Sequence, residues 1–301
     1  CIKKPLKKLL ISLFCFLTIT TRSYSQYFFY NDHYYDKDLL WEVGATLGLM
    51  EGITDVGSKT GSSLSPHTYD RKMLQKNFGL YVGASYKGIV EGRIEFTKGA
   101  IAGDDKNSNN AWIRNRNLSF RSNIFELSAL GAIHPLALLN IQTPLAISPY
   151  LLTGIAYFSF YPKTFYNGQW IALRPLRTEG QAFAETHYKQ QYSITQLALP
   201  VGIGIKYEIS PKYNFRCEAI YRHTFTDYLD DVSGTYIDPG AFKNYFDPAT
   251  AELAKTLSNR TLTHSTVSVV GTSRGNGSAN DAYMSFTVKF GLVIGRKRVG
   301  G

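Results

Sequence analysis

The sequence predicts an all-β chain: an eight-stranded antiparallel transmembrane barrel of outer-membrane type, with short periplasmic turns and long extracellular loops. Three observations predict it. Apolar and polar residues alternate with a period of two in several segments, which puts them on opposite faces of a strand. Short and long connections alternate along the chain, as they do in such barrels. Near the start, a basic stretch followed by an apolar one reads as an export signal.

That signal comes first in chain order. Lys3, Lys4, Lys7 and Lys8 form its basic part, Leu9 to Thr20 its apolar part, and Ser23-Tyr24-Ser25 the small residues of a cleavage site before Gln26. A membrane-spanning helix needs about 20 apolar residues, and this run stops at Thr21-Arg22. The expected organisation is a signal peptide (1–25), a periplasmic N-terminal segment (26–39), the barrel (40–295) and a basic C-terminal tail (296–301). Loss of Lys3, Lys4, Lys7, Lys8 and Arg22 takes the formal net charge from +10 to +5. No basic helix with interleaved aromatics remains to suggest nucleic-acid binding. After cleavage Cys217 is the one remaining cysteine, so no intramolecular disulfide forms. The 21 tyrosines, 18 phenylalanines and 26 glycines suit a wall facing lipid on one side and its own interior on the other.

The expected strands are Leu40–Met50, Phe78–Tyr86, Ile89–Lys98, Leu118–Ile133, Ile147–Tyr161, Tyr192–Ile209, Tyr213–Thr226 and Tyr283–Ile294. The third is the sharpest, with Val90, Gly92, Ile94 and Phe96 opposite Glu91, Arg93, Glu95 and Thr97. In the seventh, Phe215, Cys217, Ala219 and Tyr221 oppose Arg216, Glu218 and Arg222. In the eighth, Met284, Phe286, Val288, Phe290 and Leu292 oppose Ser285, Thr287, Lys289 and Gly291. Lys87-Gly88, Ser210-Pro211-Lys212 and His134–Ala146 are the shorter connections. The segments 51–77, 99–117, 162–191 and 227–282 are the long ones.

Closure is required energetically, because an unpaired backbone group in hydrocarbon costs several kcal/mol. Eight strands leave an interior that side chains can fill. Glu91, Arg93, Glu95, Arg216, Glu218 and Arg222 are expected to fill it as a network of paired charges, leaving no general pore.

Residues able to carry chemistry are few. His223 beside Thr224, with Ser285 on the last strand, is the nearest approach to a nucleophile and base, but no serine or carboxylate falls in register to complete a triad. His134 and His187 stand apart without metal-ligand spacing. Asp227, Asp230, Asp231 and Asp238 offer oxygens that Ca²⁺ accepts, yet in the wrong order for a known calcium loop; Asx-type turns are the simpler reading. Gly202 and Gly204 read as wall glycines, since no helix follows them as a phosphate loop requires. No catalytic, metal or cofactor site is expected, and no small-molecule substrate.

Several stretches carry a resemblance: Leu173-Arg174-Pro175-Leu176-Arg177-Thr178-Glu179-Gly180-Gln181, Leu199–Tyr207, Tyr221–Ser233, Arg274-Gly275-Asn276 and Asn280–Met284. Together they resemble the PorG-like outer-membrane barrels of the Bacteroidota. The shared loop residues are Arg174, Pro175, Glu179, Gly180, Asp227, Tyr228, Asp230 and Asp231. The resemblance implies a non-enzymatic component of the type IX secretion and gliding apparatus. Such a component ties a periplasmic ring, built of a PorK-like lipoprotein and a PorN-like partner, to the outer membrane. Expected contacts are the aromatic run Tyr27, Phe28, Phe29 and Tyr30, with His134 and Pro135, since aromatics are favoured interface anchors. Two alternatives stand beside this: a surface barrel whose long loops bind an extracellular partner, and a lipid-modifying enzyme centred on His223.

Overall fold

The structure is a computed structural model that describes residues 34–35, 38–57, 73–139, 147–187, 189–263 and 270–298. The expected signal peptide, the aromatic run Tyr27–Tyr30 and residues 140–146 lie outside them. Eight antiparallel strands form the wall: β1 (Leu39–Ile53), β2 (Gln75–Tyr86), β3 (Val90–Asp104), β4 (Ser119–Ile133), β5 (Ile147–Tyr166), β6 (Thr195–Glu208), β7 (Tyr213–Thr224) and β8 (Ala282–Ile294). Each pairs with its neighbour in sequence. Pairing of β8 with β1, from Ala282↔Ile53 to Ile294↔Trp41, closes the cylinder. No principal strand is left with a free edge, so the backbone satisfies itself within the wall.

The period of two sorts the side chains. On β3, Glu91, Arg93, Glu95 and Thr97 are buried while Val90, Gly92, Ile94 and Phe96 are exposed. Every strand carries an outward apolar stretch, with Leu47, Leu80, Ile155 and Ile203 each 59–67 % exposed. A contiguous apolar belt of this extent is foreign to a water-facing surface. Outward apolar stretches such as Phe78–Tyr86 and Phe125–Ile133 match the ~9–11 residues with which a tilted strand crosses the hydrocarbon layer. Cys217 is exposed on this outer wall.

The two ends differ. At one end the strands are joined by Lys87-Gly88-Ile89, where Lys87 (φ 51°) and Gly88 (φ 66°) give the paired positive φ of a tight hairpin. The turn after Glu208 and a helical turn at Pro135–Leu138 lie at the same end. Tyr34–Tyr35 and Lys297–Arg298 pair there in an antiparallel bridge.

At the other end the long connections fold into a cap. Strands β1, β3 and β5 run past their expected ends at Met50, Lys98 and Tyr161 to Ile53, Asp104 and Tyr166. Alternation fails beyond the belt because the cap covers both faces: Ala100 and Ile101 are both buried. Segment 162–191, read as one of the long connections, continues β5 into a hairpin with Gln169–Ala172. Asn167 (φ 47°) and Gly168 (φ 80°) turn it.

Two helices were not expected. Helix α1 (Ala111–Arg116) is capped by the Asn110 side chain, which accepts from the Trp112 amide at 2.9 Å. Helix α2 (Pro248–Ser258) begins with Asp247 accepting from the amides of Ala249 and Thr250. A proline follows at the first helical position, where its missing N–H costs nothing. Helix α2 buries Ala251, Ala254 and Leu257 on one face. One apolar cluster continues from the strand ends (Met50, Ile124, Phe158, Tyr283) into the cap (Leu176, Phe183, Phe242, Leu257). There the Phe183 and Tyr245 rings stack with centroids 3.9 Å apart.

Candidate functional site

The interior is filled in two layers. The layer nearer the turns is ionic. Arg93 donates to both oxygens of Glu218, at 2.8 and 3.1 Å, and its Nε lies 3.4 Å from Glu95. Arg216 donates to Glu91 at 2.9 and 3.0 Å and to Glu42 at 2.7 and 3.1 Å. Arg222 pairs with Glu126 at 2.6 Å. The six charges expected in the lumen therefore do face it. Glu42, Glu126 and Lys289 join them, Lys289 bonding Glu95 and lying 3.2 Å from Glu218. Tyr81 donates to Glu42, and Tyr150 to Glu218 at 2.5 Å. Lys289 and Glu126 lie on the polar faces legible in the sequence; what it does not carry is which charge meets which across the lumen.

The wall glycines make room for this layer. A Cβ at Gly204 would stand 2.6 Å from the Tyr150 hydroxyl, so glycine lets the ring lie flat against the wall. Gly204→Val is expected to push Tyr150 off Glu218 and destabilise the barrel by about 1–3 kcal/mol, as overpacking does. The check is the temperature at which the protein loses its compact migration in detergent gels. An unchanged transition would mean that the ring has another place to lie.

His134 is drawn into the same layer. It is 3 % exposed, with Nδ1 2.8 Å from the Ser148 hydroxyl, Nε2 3.7 Å from Glu91, and the Tyr150 ring beside it. This corrects its assignment as a surface contact: a polar ring with partners on both nitrogens is held inside. The adjacent Pro135 is half-buried at the head of its helical turn.

The cap layer gathers the loop residues singled out in the sequence. Glu179 accepts from the amides of Ser233 and Gly234 at 2.9 and 3.0 Å and from Arg274 at 3.1 Å. Asp231 accepts from Thr178 at 2.5 Å and Tyr192 at 2.6 Å. Asp230 accepts from the amides of Val56 and Val232 at 2.8 and 2.9 Å. Arg174 donates from Nε to the Tyr192 carbonyl, and Tyr228 stacks on the Tyr192 ring at 4.6 Å. Gly180 adopts φ +68°, a left-handed conformation that favours glycine. Pro175 is exposed at the start of the short turn Arg174–Leu176.

This layer holds excess acid. Among the described residues Asp105, Glu179, Asp227, Asp230, Asp231 and Asp281 are buried in it, whereas its buried cations are Arg116 and Arg274. Arg116 is committed to Asp105 at 2.8 and 2.9 Å. Burial is the main cause that pushes Asp227 up to about 8, reinforced by Asp230 and Asp55. Burial and the nearby Asp55 carboxylate raise Asp230 to about 7, and burial raises Asp231 to about 6. Asp281 is raised by burial and by Asp230 and Asp227. Asp238 instead caps the turn Pro239–Asn244, accepting from the Gly240 amide. Among the described residues no group of three acidic, histidine or cysteine side chains is arranged to hold a metal ion.

The residues weighed for hydrolysis do not converge. His223 is exposed on the outer wall against Phe225. Thr224 donates inward to the Asp281 carbonyl at 2.6 Å, and Ser285 accepts from Arg222 at 2.8 Å inside the lumen. His187 sits in a left-handed turn of the cap (φ 52°).

Solved structures with similar outlines are outer-membrane proteins. A major outer membrane protein of Thermus thermophilus shares 13 % identity over 86 % of this chain and 100 % of its own, with a TM-score of 0.38. Ail of Yersinia pestis, solved with the heparin analogue sucrose octasulfate, shares 8 % over 85 % and 97 %, at 0.35. Neisserial surface protein A shares 9 % over 86 % and 98 %, also at 0.35. Likeness at this level carries no argument; the eight-stranded closed architecture rests on the strand pairing itself. No curated protein sequence matches the chain. The family model described as a domain of unknown function, DUF6089, matches residues 21–244, and the chain belongs to that family.

Proposed function

We propose that this protein is a non-enzymatic outer-membrane component of the type IX secretion machinery, anchoring a periplasmic lipoprotein ring to the outer membrane. One observation carries the reading: among the described residues, side chains occupy the interior at both ends. Ion pairs occupy the turn end and an apolar plug roofed by the folded cap occupies the other. Such a molecule offers surfaces and not a passage. The surface assigned to the ring is the turn end, with Lys87-Gly88, the Pro135–Leu138 turn and the paired segments Tyr34–Tyr35 and Lys297–Arg298. The resemblance to PorG-like barrels supplies the partners, a PorK-like lipoprotein and a PorN-like protein.

Affinity capture of the tagged protein from outer membranes, read by mass spectrometry, tests this. Both ring proteins are expected in the eluate in amounts comparable to the bait. Recovery of the barrel alone, from membranes where the two are plentiful, would sink the proposal. One feature favours a second reading, an extracellular partner at the cap. Phe165 and Trp170 form a cross-strand pair near the tip of the β5 hairpin, each 52 % exposed, with ring centroids 5.4 Å apart.

A further inference from the structure

Charge on the outer wall is confined to one side. Its outward-facing cations are Lys76 on β2, Lys98 on β3, Arg121 on β4 and Lys163 on β5. These are four consecutive strands, and each cation sits on the cap side of its strand's apolar stretch. The outward positions of Leu39–Leu49, Leu197–Tyr207, Tyr213–His223 and Met284–Ile294, on the other four strands, carry no lysine, arginine, aspartate or glutamate. The cap-side edge of the belt is therefore basic on β2–β5, while the belt itself carries no such charge on the other four strands.

Among the described residues no ion pair joins any of the four to a carboxylate; the lysines at the surface that do pair are elsewhere, such as Lys255 with Glu252. Arg121 and Lys163 stand directly opposite each other across the β4–β5 ladder, and like charges so placed destabilise a sheet unless something neutralises them. The Lys98 ammonium sits between two rings, 5.9 Å from Phe78 and 5.1 Å from Phe125, and Lys163 lies 5.2 Å from Tyr161. Cations are thus held at the level where the apolar belt ends.

We propose that this wall binds a phosphate-bearing lipid of the cap-side leaflet. Its headgroup lies against Lys76, Lys98, Arg121 and Lys163, and its acyl chains run down the apolar belt of β2–β5. Charge complementarity selects the anion, since guanidinium and ammonium groups bond phosphate oxygens strongly. The belt directly below on the same strands selects a lipid over a soluble anion, which would leave that apolar surface uncovered. Such binding requires the barrel wall alone and not the secretion role.

The test titrates the full-length protein, in zwitterionic detergent, with monophosphoryl lipid A and counts bound lipid by native mass spectrometry. The same lipid after dephosphorylation is the first control, and inorganic phosphate as competitor is the second. Binding at least tenfold tighter for the phosphorylated lipid is expected, unaffected by millimolar phosphate. The double variant K98Q/R121Q is expected to lose that preference, whereas K87Q/K212Q, two exposed lysines at the turn end, keeps it. Compact gel migration verifies folding, and K98Q alone reads the same effect at smaller size. Equal binding of the two lipids, equal binding by wild type and K98Q/R121Q, or displacement by inorganic phosphate would each overturn the proposal.

Discussion

Replacing Arg216 by methionine is expected to destabilise the barrel by about 3–5 kcal/mol, the cost of leaving buried charges without their partner. Arg216 is 1 % exposed and is the common partner of two carboxylates on different strands, Glu42 of β1 and Glu91 of β3. Its loss leaves Glu42 with neutral donors, Tyr81 and Asn214, and Glu91 with the more distant Arg93 and His134, at 3.6 and 3.7 Å. A buried ion pair contributes little net stability against an apolar replacement of the same shape, so the intact network is not what makes the barrel strong. The asymmetry lies in breaking it. The triple variant R216M/E42Q/E91Q, which removes the orphaned charges as well, is therefore expected to recover most of the loss. Urea unfolding of protein refolded into bilayers measures both. An R216M barrel within about 1 kcal/mol of wild type would mean that water enters the lumen freely, and with it would go the claim of a sealed interior.

The cap is expected to loosen as pH rises from 5 to 9. Asp227, Asp230 and Asp231 are raised to about 8, 7 and 6, and Asp281 is raised as well. An acid whose folded value lies above its unfolded one binds its proton more tightly in the folded state. Its contribution to stability is complete below about pH 4 and is lost as pH rises through the folded values. The window is therefore roughly pH 5 to 8. The groups facing these carboxyls are Asp55 and Glu179, which oppose ionisation, and Arg116, Arg274 and Lys189, which favour it. The expected loss of cap stability is on the order of 2–4 kcal/mol, since each unit of displacement is worth about 1.4 kcal/mol and the sites share their protons. Hydrogen exchange at the amides of Val56, Leu229 and Val232, which donate to Asp230 and Asp281, reads it once corrected for the intrinsic pH dependence of exchange. Asp227→Asn should flatten the response. Protection that stays constant across the range would show that the acid excess is neutralised by another route.

The barrel was legible because its wall separates two environments. Where lipid faces one side and the packed lumen the other, the side-chain alternation on β3 and β7 records the separation residue by residue. The same logic explains where legibility stops. Past Lys98 the chain leaves the membrane, and the cap buries Ala100 and Ile101 together, so the period vanishes although the strand continues. Helix α2 hides in a long polar connection, and its buried face amounts to small residues, Ala251 and Ala254, with Leu257. Asp247-Pro248 is a helix-start signal that could have revealed it. The acidic run Asp227–Asp231 was legible as ordered turn structure. The meeting of this segment with Glu179 and Arg274 was not, because those partners lie in other connections, 54 residues from Ser233 and 43 from Asp231.

Closure by β8 also sets the order in which the molecule can be completed. Lys289 is the cation that β8 contributes to the ionic layer; it lies beside Glu218 across the β7–β8 ladder and reaches Glu95 of β3 across the closed lumen. Without Lys289, Arg93 is the one cation among the described residues left beside both carboxylates. Tyr283 and Ser285, the partners of Glu126 and Arg222, arrive on the same strand. A chain lacking its final strand is therefore not merely open along one seam; its interior is more unbalanced in charge and unsuited to hydrocarbon. Charge in the lumen therefore acts as a completeness check: among the described residues of the ionic layer, with Lys289 in place five carboxylates face four cations, and without the last strand they face three.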